Sequence, residues 1–223
     1  MDVAVNLANI KEQIRQACAK SNRNIEEITV IGVTKYVTIE RTEEALQSGI
    51  TNFGENRLEG FLTKYDHIGD RAKWHFIGTL QSRKVKDVID KVDMIHSLDR
   101  MSLAKEINKR ANQTMNCFVQ VNVSGEESKH GLKPEEVVSF IEEVGKYEKI
   151  RIVGLMTMAP HIEDESRLKE IFRDLAALRD KARSQNFSHA PCKFLSMGMS
   201  NDFSLAIEAG ATHIRIGSSL VGE

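Results

Sequence analysis

Short apolar runs that alternate with helical patterns along the whole chain are the sequence feature that most limits its fold. Runs such as VIGV, CFVQVNV and FLSM are apolar without strict alternation, which is typical of parallel strands buried on both faces. Helical patterns separate the runs at 39–48, 102–112, 135–146 and 165–184. This order predicts an α/β fold with a parallel sheet. The candidate strands are 29–34, 52–54, 74–77, 94–97, 117–123, 152–156, 193–197 and 213–216.

The number of strand–helix units favours a closed barrel. Eight strands, each followed by a helix or turn, predict a single (β/α)8 TIM barrel, and 223 residues match the roughly 200–250 of one barrel domain. An open doubly wound sheet is the alternative, but it usually has a glycine-rich loop after its first strand, and GVTKYVT is not such a loop. No linker or low-complexity tract interrupts the chain, so we predict one domain over residues 1–223.

An extra helix is predicted before the first strand. Apolar residues of the opening segment recur at helical spacing and are broken by charges, unlike the continuous apolar core of a signal peptide. We expect this helix to cover the barrel from beneath. Its apolar residues are Val5, Leu7, Ile10, Ile14 and Ala17.

Charge and cysteine content exclude several classes of partner. A formal net charge of −1 gives no attraction to nucleic acid or to an anionic membrane, and no stretch reaches the roughly 20 apolar residues of a membrane span. Cys18, Cys117 and Cys192 are odd in number and widely spaced, so they fit neither a disulfide framework nor a zinc-ligand pattern. We therefore expect a cytoplasmic protein with reduced structural thiols and no bound metal.

Polar residues concentrate at the C-terminal ends of the candidate strands, where parallel barrels carry their functional sites. Lys35 closes the apolar run VIGVT, so its stem is expected in the barrel wall and its amine at the mouth. An amine withdrawn from water loses its proton more easily, and a neutral amine attacks aldehydes. A lysine that merely extends from a strand end into water is the alternative. The other strand-end residues are Asn56, His75, Ser97, Asn122, Thr157, Ser196, Ser200 and Arg215.

Two turns near the end of the sequence match the phosphate sites that recur after the last two strands of barrels. After the last strand, Gly217 lets a ligand approach the backbone, and Ser218 and Ser219 offer hydroxyl and N–H groups. After the seventh strand, Gly198 permits a tight turn, and Ser200 either caps the next helix, or binds the phosphate, or does both. Together the two turns predict an anion site.

Arg215 lies between two isoleucines of the last strand. A buried guanidinium without a partner is costly, so its side chain must face the barrel interior, a ligand or a buried carboxylate. An ion pair with a strand-end acid, for example Glu55, and a contact with a ligand are both compatible with the sequence.

Several segments carry a resemblance to a known family. In chain order they are GVTKY, FGENR, WHFIGTLQSRK, IHSLD, GLMTMAP, LSMGMSNDF and RIGSSLVGE, which extend over essentially the whole chain. They resemble the YggS/PROSC family, the pyridoxal phosphate (PLP) homeostasis proteins, and most closely its Bacillus-type branch. The resemblance implies a barrel similar to the N-terminal domain of alanine racemase, a fold-type III PLP enzyme. Arg83 and the segment 36–38 depart from the commoner pattern, outside the lysine and phosphate motifs.

The resemblance also implies roles for the residues that match its motifs. Lys35 would hold PLP covalently as a Schiff base, the internal aldimine. Ser200 of the MGMS motif, with Gly217 and Ser218 of the last turn, would hold the phosphate. The backbone at Met199 would join them.

At the other end of the cofactor, the resemblance implies that Arg215 approaches the pyridine nitrogen, with Asn56 on the cofactor's other side. His75 and Ser196 are second-rank candidates for lining the pocket. A cation beside the pyridine nitrogen disfavours its protonation and weakens the ring as an electron sink. The racemases also take a second acid or base, opposite the lysine, from an added domain. Because the sequence stops at Glu223, we expect no room for such a domain.

We therefore expect a PLP carrier that acts in vitamin B6 and amino-acid homeostasis without robust turnover. A weak amino-acid racemase is the alternative, and a Schiff-base aldolase acting on a sugar phosphate also fits a lysine beside a phosphate site. The expected partners are PLP and, for transfer, PLP-dependent apo-enzymes, with the protein a monomer or weak dimer. The polar segment 124–134, which contains Lys129 and His130, is either a lid or transfer surface or an ordinary solvated loop.

Overall fold

Eight parallel strands close into one barrel in the computed structural model, which describes residues 2–222. Each strand pairs with its neighbours in chain order, and the last pairs with the first. The predicted (β/α)8 barrel is confirmed. The strands are β1 (Thr29–Val33), β2 (Asn52–Glu55), β3 (Lys73–Phe76), β4 (Met94–Leu98), β5 (Met115–Gln120), β6 (Ile150–Met156), β7 (Phe194–Met199) and β8 (His213–Ile216).

Helices cover the outside of the barrel. The patterns at 39–48, 102–112 and 165–184 are helices to within two residues at each end. The pattern at 135–146 begins as a 3-10 turn, Pro134–Glu136, before the α-helix starts. The α-helices are α1 (Val3–Lys20), α2 (Ile39–Gln47), α3 (Leu58–Ile68), α4 (Val85–Val88), α5 (Met101–Arg110), α6 (Val137–Val144), α7 (Glu165–Ser184), α8 (Phe203–Glu208) and α9 (Ser218–Val221).

The largest difference from the predicted strands lies in β5, for which the sequence predicts 117–123. Val121 still donates its N–H to the carbonyl of Met156 in β6, at 2.8 Å. From Asn122 onward the chain turns back on itself, and the N–H of Asn122 donates to the carbonyl of Leu132 at 2.9 Å. The strand therefore ends early because the apolar tail of the predicted run pairs with its own loop.

The pairing of β1 with β8 closes the barrel. Residues Thr29 to Gly32 pair with His213 to Ile216 in parallel register. Because parallel pairing brings the C-terminal ends of both strands to one edge, the turn after β1 and the turn after β8 become neighbours at the mouth. These turns contain Lys35 and Gly217, respectively.

The first helix, α1, lies in the outer ring and not beneath the barrel as expected. It packs between α8 and α2 and against α9. The side-chain amide of Asn6 donates to the carbonyl of Leu220 at 2.9 Å. Arg23, just after the helix, donates to the carbonyls of Ile207 and Ala211 at 2.8 and 2.7 Å. Since α9 has only four residues, it leaves a gap between α8 and α2, and α1 fills that gap.

The buried face of α1 begins at Val3 and follows helical spacing. Val5, which the sequence places on this face, is 56 % exposed. Two residues correspond to about 200° around a helix, so Val5 lies almost opposite Val3. The buried residues are Val3, Leu7, Ile10, Ile14, Ala17 and Cys18.

The inside of the barrel contains polar as well as apolar side chains. Phe118 of β5 forms a small apolar cluster with Val153 and Met156 of β6, separate from the main core. The ring of His96 stacks on Phe118 with 4.4 Å between centroids, and the ring of His213 meets Phe118 in a T-shaped contact with 5.1 Å between centroids. Histidine rings therefore complete an interior layer that aliphatic side chains fill in many barrels.

No helix within residues 2–222 combines the length and the apolar character needed to cross a membrane. In the same part of the chain, His, Cys, Asp and Glu side chains form no group of three or more that is placed to hold a metal ion. The thiols of Cys18, Cys117 and Cys192 are free and buried.

Replacing Ile14 by alanine is expected to lower the free energy of unfolding by about 2–5 kcal/mol, because the loss of a buried side chain leaves a cavity between α1 and the barrel. Ile14 is 2 % exposed. Urea denaturation followed by circular dichroism measures the change. Val5→Ala in the same helix is the control, and its exposed side chain predicts a change within about 0.5 kcal/mol. Equal effects of the two substitutions would contradict the place of α1 in the ring.

Candidate functional site

A cavity of about 990 Å³ opens at the C-terminal ends of the strands. Its walls come from the turns after β1, β2, β3, β7 and β8 and from the loops after β5 and β6. Residues that are far apart in the sequence are thereby gathered at one mouth. The residues predicted to contact a cofactor all line this cavity: Lys35, Asn56, Met199, Ser200, Arg215, Gly217 and Ser218.

Lys35 lies in the turn after β1, because the strand ends at Val33. Its side chain is exposed, and the ammonium nitrogen is 4.7 Å from the centre of the Tyr36 ring. The expectation that the barrel wall buries this lysine is wrong, since the strand stops before reaching it. Lys35 nevertheless lines the cavity, in agreement with the expected position of its amine at the mouth, and a small molecule that enters the cavity is able to reach it.

A buried ion pair adjoins the turn that carries Lys35. Glu55, the last residue of β2, is fully buried, and its Oε1 is 2.6 Å from the Nζ of Lys64 in α3. The hydroxyl of Thr34 donates to the same carboxylate oxygen at 2.6 Å, and the Lys64 ammonium also donates to the Thr34 carbonyl. The residue before Lys35 is therefore fixed through both its side chain and its backbone.

The turn after β7 is built around Gly198 and Asp202. Gly198 has a φ of +92°, and a Cβ there would stand 2.7 Å from a side-chain carbon of α8, so the position requires glycine. Asp202 is the N-terminal cap residue of α8, and its Oδ1 accepts the N–H of Met199 at 2.6 Å. Ser200 is therefore not the helix cap. Its hydroxyl oxygen accepts the N–H of Gly217 at 3.3 Å, which joins the two turns.

The turn after β8 leaves its backbone open to the cavity. A Cβ on Gly217 would meet nothing nearer than 3.8 Å, at Val33, so contacts within the protein do not fill this space. Ser218 and Ser219 begin α9, and the first N–H groups of a helix have no partner within it. These groups are therefore available to an anion that lies against Gly217.

The side-chain oxygen of Asn56 is a second group without a protein partner. It is buried, and it has no hydrogen-bond partner among the residues that the structure describes. Leaving a buried acceptor unpaired costs about 1–3 kcal/mol. Because Asn56 lines the cavity, a donor on a ligand would satisfy this oxygen.

Arg215 of β8 is 5 % exposed and directs its guanidinium toward β6 and β7. Nη1 donates to the hydroxyl of Ser196 at 2.6 Å, and Nη2 donates to the carbonyl of Thr157 at 2.9 Å. The alternative of an ion pair with Glu55 is wrong, because that carboxylate is engaged in the ion pair described above. Burial lowers the pKa of Arg215 to about 10, and the negative charge of Asp202 offsets part of this lowering. The side chain therefore remains a cation at neutral pH.

His75 does not line this cavity, contrary to the expectation from the sequence. It lies at the other end of the barrel and lines a second cavity of about 640 Å³, together with Asn52, Lys73 and His213. The reason is the stagger between strands. His75 is near the end of β3, but it pairs with Met94, the first residue of β4.

The remaining strand-end residues, Ser97, Asn122, Thr157 and Ser196, are not among the residues that line the cavity. Ser196 and Thr157 both contact Arg215. The hydroxyl of Ser97 is buried and unpaired within the described part of the chain. The amide of Asn122 donates within the segment 124–134, to a carbonyl at 2.8 Å.

The segment 124–134 forms one wall of the mouth, where Ser128, Lys129 and His130 line the cavity. The ammonium of Lys129 donates to the carbonyl of Met158 at 3.2 Å and lies 3.3 Å from Glu126. This segment therefore packs against the loop that follows β6.

Comparison with known proteins identifies the family. The model of the alanine racemase N-terminal domain matches residues 5–223. The pyridoxal phosphate homeostasis protein of Aquifex aeolicus is 40 % identical over 227 residues, which cover 100 % of this chain and 99 % of that protein. The protein of the same name from Vibrio alginolyticus is 35 % identical, over 97 % of this chain and 95 % of the relative. The chain belongs to the pyridoxal phosphate homeostasis protein family.

Several solved structures that are similar to this member of the pyridoxal phosphate homeostasis protein family share its barrel fold. PipY of Synechococcus elongatus, solved with PLP bound, is 27 % identical with a TM-score of 0.87, and the match covers 99 % of this chain and 100 % of PipY. A protein of Bifidobacterium adolescentis is 29 % identical with a TM-score of 0.94, over 98 % of this chain and 94 % of that protein. An alanine racemase of Clostridium difficile, 18 % identical with a TM-score of 0.79, shares the fold over 98 % of this chain and 56 % of the racemase.

Two features of this pyridoxal phosphate homeostasis family member were missed by sequence reasoning. One is the Glu55–Lys64 pair, although Lys64 stands in the buried stripe of α3 between Phe61 and Ile68. A lysine at such a position indicates a buried carboxylate partner, since unpaired charges are not buried. The other is a group of histidines inside β3, β4 and β8, which the sequence placed in apolar strands without assigning them a common site.

Replacing Lys64 by methionine is expected to lower the free energy of unfolding by about 3–5 kcal/mol, because the buried Glu55 carboxylate loses its cation. Chemical denaturation at neutral pH measures the change. Lys169→Met is the control, since it removes an exposed pair with Glu165 at 3.6 Å. Such a pair contributes about 0–1 kcal/mol. A Lys64 variant as stable as the control would show that the pair does not hold the turn.

Proposed function

We propose that this chain binds PLP at the mouth of its barrel and acts in vitamin B6 and amino-acid homeostasis as a carrier of the cofactor. The observation that carries the proposal is the convergence of a reachable amine, two anion-binding turns and a buried guanidinium on one cavity. PLP offers one group to each, namely an aldehyde, a phosphate and a pyridine nitrogen. Family membership supports the proposal, as does the PLP-bound structure of PipY.

Lys35 is the proposed covalent contact. Its amine attacks the aldehyde carbon and water is lost, which leaves a Schiff base between protein and cofactor. The exposed position at the rim allows the amine to reach an aldehyde that arrives from solvent. The anchoring of Thr34 by Lys64 and Glu55 keeps the turn in place and so favours this contact over other surface lysines.

The phosphate is proposed to lie between the turns after β7 and β8. The hydroxyl of Ser200 keeps its own hydrogen while its oxygen accepts the N–H of Gly217, so it is able to donate to a phosphate oxygen. Ser218 adds a hydroxyl and an N–H group at the start of α9. Met199 contributes through its position, because its N–H is already engaged by Asp202.

Two features favour a role as a carrier of PLP rather than as a PLP-dependent enzyme. When bound, PLP supplies an electron sink for carbanions. The cation of Arg215, proposed to face the pyridine nitrogen, disfavours protonation of that nitrogen and weakens the sink. Asn56 is proposed to lie on the cofactor's other side. Racemisation needs a second acid or base opposite the lysine. Tyr36 is the tyrosine that lines the described cavity, but its ring lies beside Lys35.

Transfer to PLP-dependent apo-enzymes is proposed as the outlet for the bound cofactor. Tyr36 and Met158 line the cavity and are 72 % and 45 % exposed. Ile162 follows His161, which also lines the cavity, and is 39 % exposed. Exposed apolar side chains gathered around one opening fit a contact surface for another protein. Free, buried thiols fit the reducing conditions of the cytoplasm, where we propose that this exchange occurs.

Incubation with PLP is expected to give a yellow protein whose visible band disappears on borohydride reduction. Mass spectrometry of the reduced protein is expected to find the modification on Lys35, and Lys35→Ala is expected to lose the band, because it removes the reactive amine. Lys84→Ala, in the turn after β3, is the matched control and keeps the band. Modification at another lysine, or a colourless protein that is trapped only with a sugar phosphate, would overturn the assignment.

The PLP-loaded protein is expected to restore the activity of an apo-aminotransferase faster than free PLP does. The comparison sample contains the same total concentration of PLP and a control protein that does not bind it. Direct transfer avoids the step of release into solvent. Recovery no faster than with free PLP would contradict the carrier proposal. Chiral chromatography of amino acids incubated with the loaded protein is the accompanying control, and enzyme-like conversion lost in Lys35→Ala would favour the racemase alternative.

A further inference from the structure

A chain of hydrogen bonds crosses the inside of the barrel between its two cavities. It begins at Asn52 of β2, whose Oδ1 is 3.0 Å from Nε2 of His75 in β3. Nδ1 of His75 is 2.9 Å from Nε2 of His96 in β4, and Nδ1 of His96 is 2.8 Å from the hydroxyl oxygen of Ser196 in β7. Asn52, His75, His96 and Ser196 form what we call the imidazole chain. It ends on Arg215, which lines the mouth.

The imidazole chain is withdrawn from water along its length. His75 is 1 % exposed, and His96 and Ser196 are fully buried. Burial lowers the pKa of His75 to about 3 and also lowers the pKa of His96, so both rings are neutral at physiological pH. A neutral imidazole has one donor and one acceptor nitrogen, and it therefore passes on the direction of a hydrogen bond from one neighbour to the next.

The direction of the imidazole chain follows from the chemistry of Arg215. A guanidinium only donates, so the oxygen of Ser196 accepts from it. At the other end the Oδ1 of Asn52 only accepts, so the arrangement without two facing acceptors sends the hydrogen of the Ser196 hydroxyl to Nδ1 of His96. His96 consequently carries its proton on Nε2 and donates to His75, which carries its own proton on Nε2 and donates to Asn52. Every polar hydrogen between the five residues has an acceptor in this arrangement.

We propose that His96 is a positioning residue for Arg215, because it takes the hydroxyl hydrogen of Ser196 and so turns the lone pair of that oxygen toward the guanidinium. The proposal rests on the proposed function in its last step, in which Arg215 faces the pyridine nitrogen of PLP. Without an acceptor at His96, the hydroxyl hydrogen loses its partner in the imidazole chain, and the hydroxyl is free to rotate, so its lone pair is no longer fixed toward the guanidinium. The guanidinium then keeps only its bond to the carbonyl of Thr157, and the attraction of Asp202 is free to turn it.

A purely structural role for His96 is the competing explanation. Its ring stacks on Phe118, and its loss would disturb the packing of the barrel interior. His213 provides the matched comparison, since it is also a buried histidine that contacts Phe118. Its Nδ1 bonds to Thr212, outside the imidazole chain.

The first test uses the wild-type protein without PLP. Nitrogen-15 NMR of the histidine side chains at pH 7 is expected to find both His75 and His96 neutral, with the proton on Nε2. A proton on Nδ1 of either ring, or a cationic ring, would overturn the proposal, because two donors or two acceptors would then face each other or His96 could not accept the hydroxyl hydrogen of Ser196. This test needs no variant, so misfolding does not compromise it.

The second test compares three folded variants. His96→Phe keeps an aromatic ring on Phe118 but removes the acceptor, and it is expected to weaken PLP binding about tenfold and to broaden or shift the Arg215 guanidinium NMR signals in the ligand-free protein. His96→Asn places an amide oxygen near the former Nδ1 and is expected to restore both readouts to within about threefold of wild type, since hydrogen-bond changes of this kind are small. His213→Phe is expected to leave both readouts unchanged.

Loss in all three variants alike, or no change in His96→Phe, would reject a positioning role in favour of packing. The two levels of the proposal fail in different ways. If the wild type does not bind PLP, the proposed function fails, while the guanidinium signals of the ligand-free variants still test the imidazole chain. If the wild type binds PLP and His96→Phe behaves like His213→Phe, only the positioning role fails.

Discussion

The hydrogen-bonded pairing of β1 with β8 is the constraint on which the site depends. Arg215 pairs with Ile31 in this register, and its side chain points into the barrel. Because side chains alternate between the two faces of a strand, a slip of one residue would turn Arg215 out toward the helices. The same pairing sets Gly217 beside the turn that follows β1. One register thus fixes the positions of the Lys35 amine, the turn after β8 and the Arg215 guanidinium relative to one another.

The polar groups inside this barrel are tolerated because nearly all of them are paired. Glu55 and Lys64 neutralise each other, and Thr34 adds a further hydrogen bond. Arg215 has two neutral acceptors rather than a carboxylate at hydrogen-bond distance. The guanidinium therefore keeps its charge at the cavity, where Asp202 attracts it without a direct ion pair. The barrel therefore gives up some apolar packing and gains a cation in a defined place.

Much of the fold and of the site could be predicted from the sequence, because both depend on local signals. Apolar runs indicate strands that are buried on both faces, and the residues just after each run are expected at the mouth. Lys35 and Gly217 are predicted at the mouth for this reason, and both line the cavity. The position of His75 was wrong because the stagger between adjacent strands depends on pairing across the sheet and leaves no trace in one run. The exposure of Lys35 was missed because it depends on where β1 stops. The partner of Glu55 lies on another element, and only the folded chain brings them together.

The place of α1 has a consequence for the order of events during synthesis. This helix leaves the ribosome before the strands, yet the segments that cover its apolar stripe, α8 and α9, emerge only after β7 and β8, respectively. A folding pathway that proceeds strictly from α1 onward is therefore closed to this chain, since the contacts of α1 in the outer layer stay incomplete until α9 has been synthesised. The hydrogen bonds from Asn6 to the carbonyl of Leu220 and from Arg23 to the carbonyl of Ala211 can form only after those carbonyls have emerged.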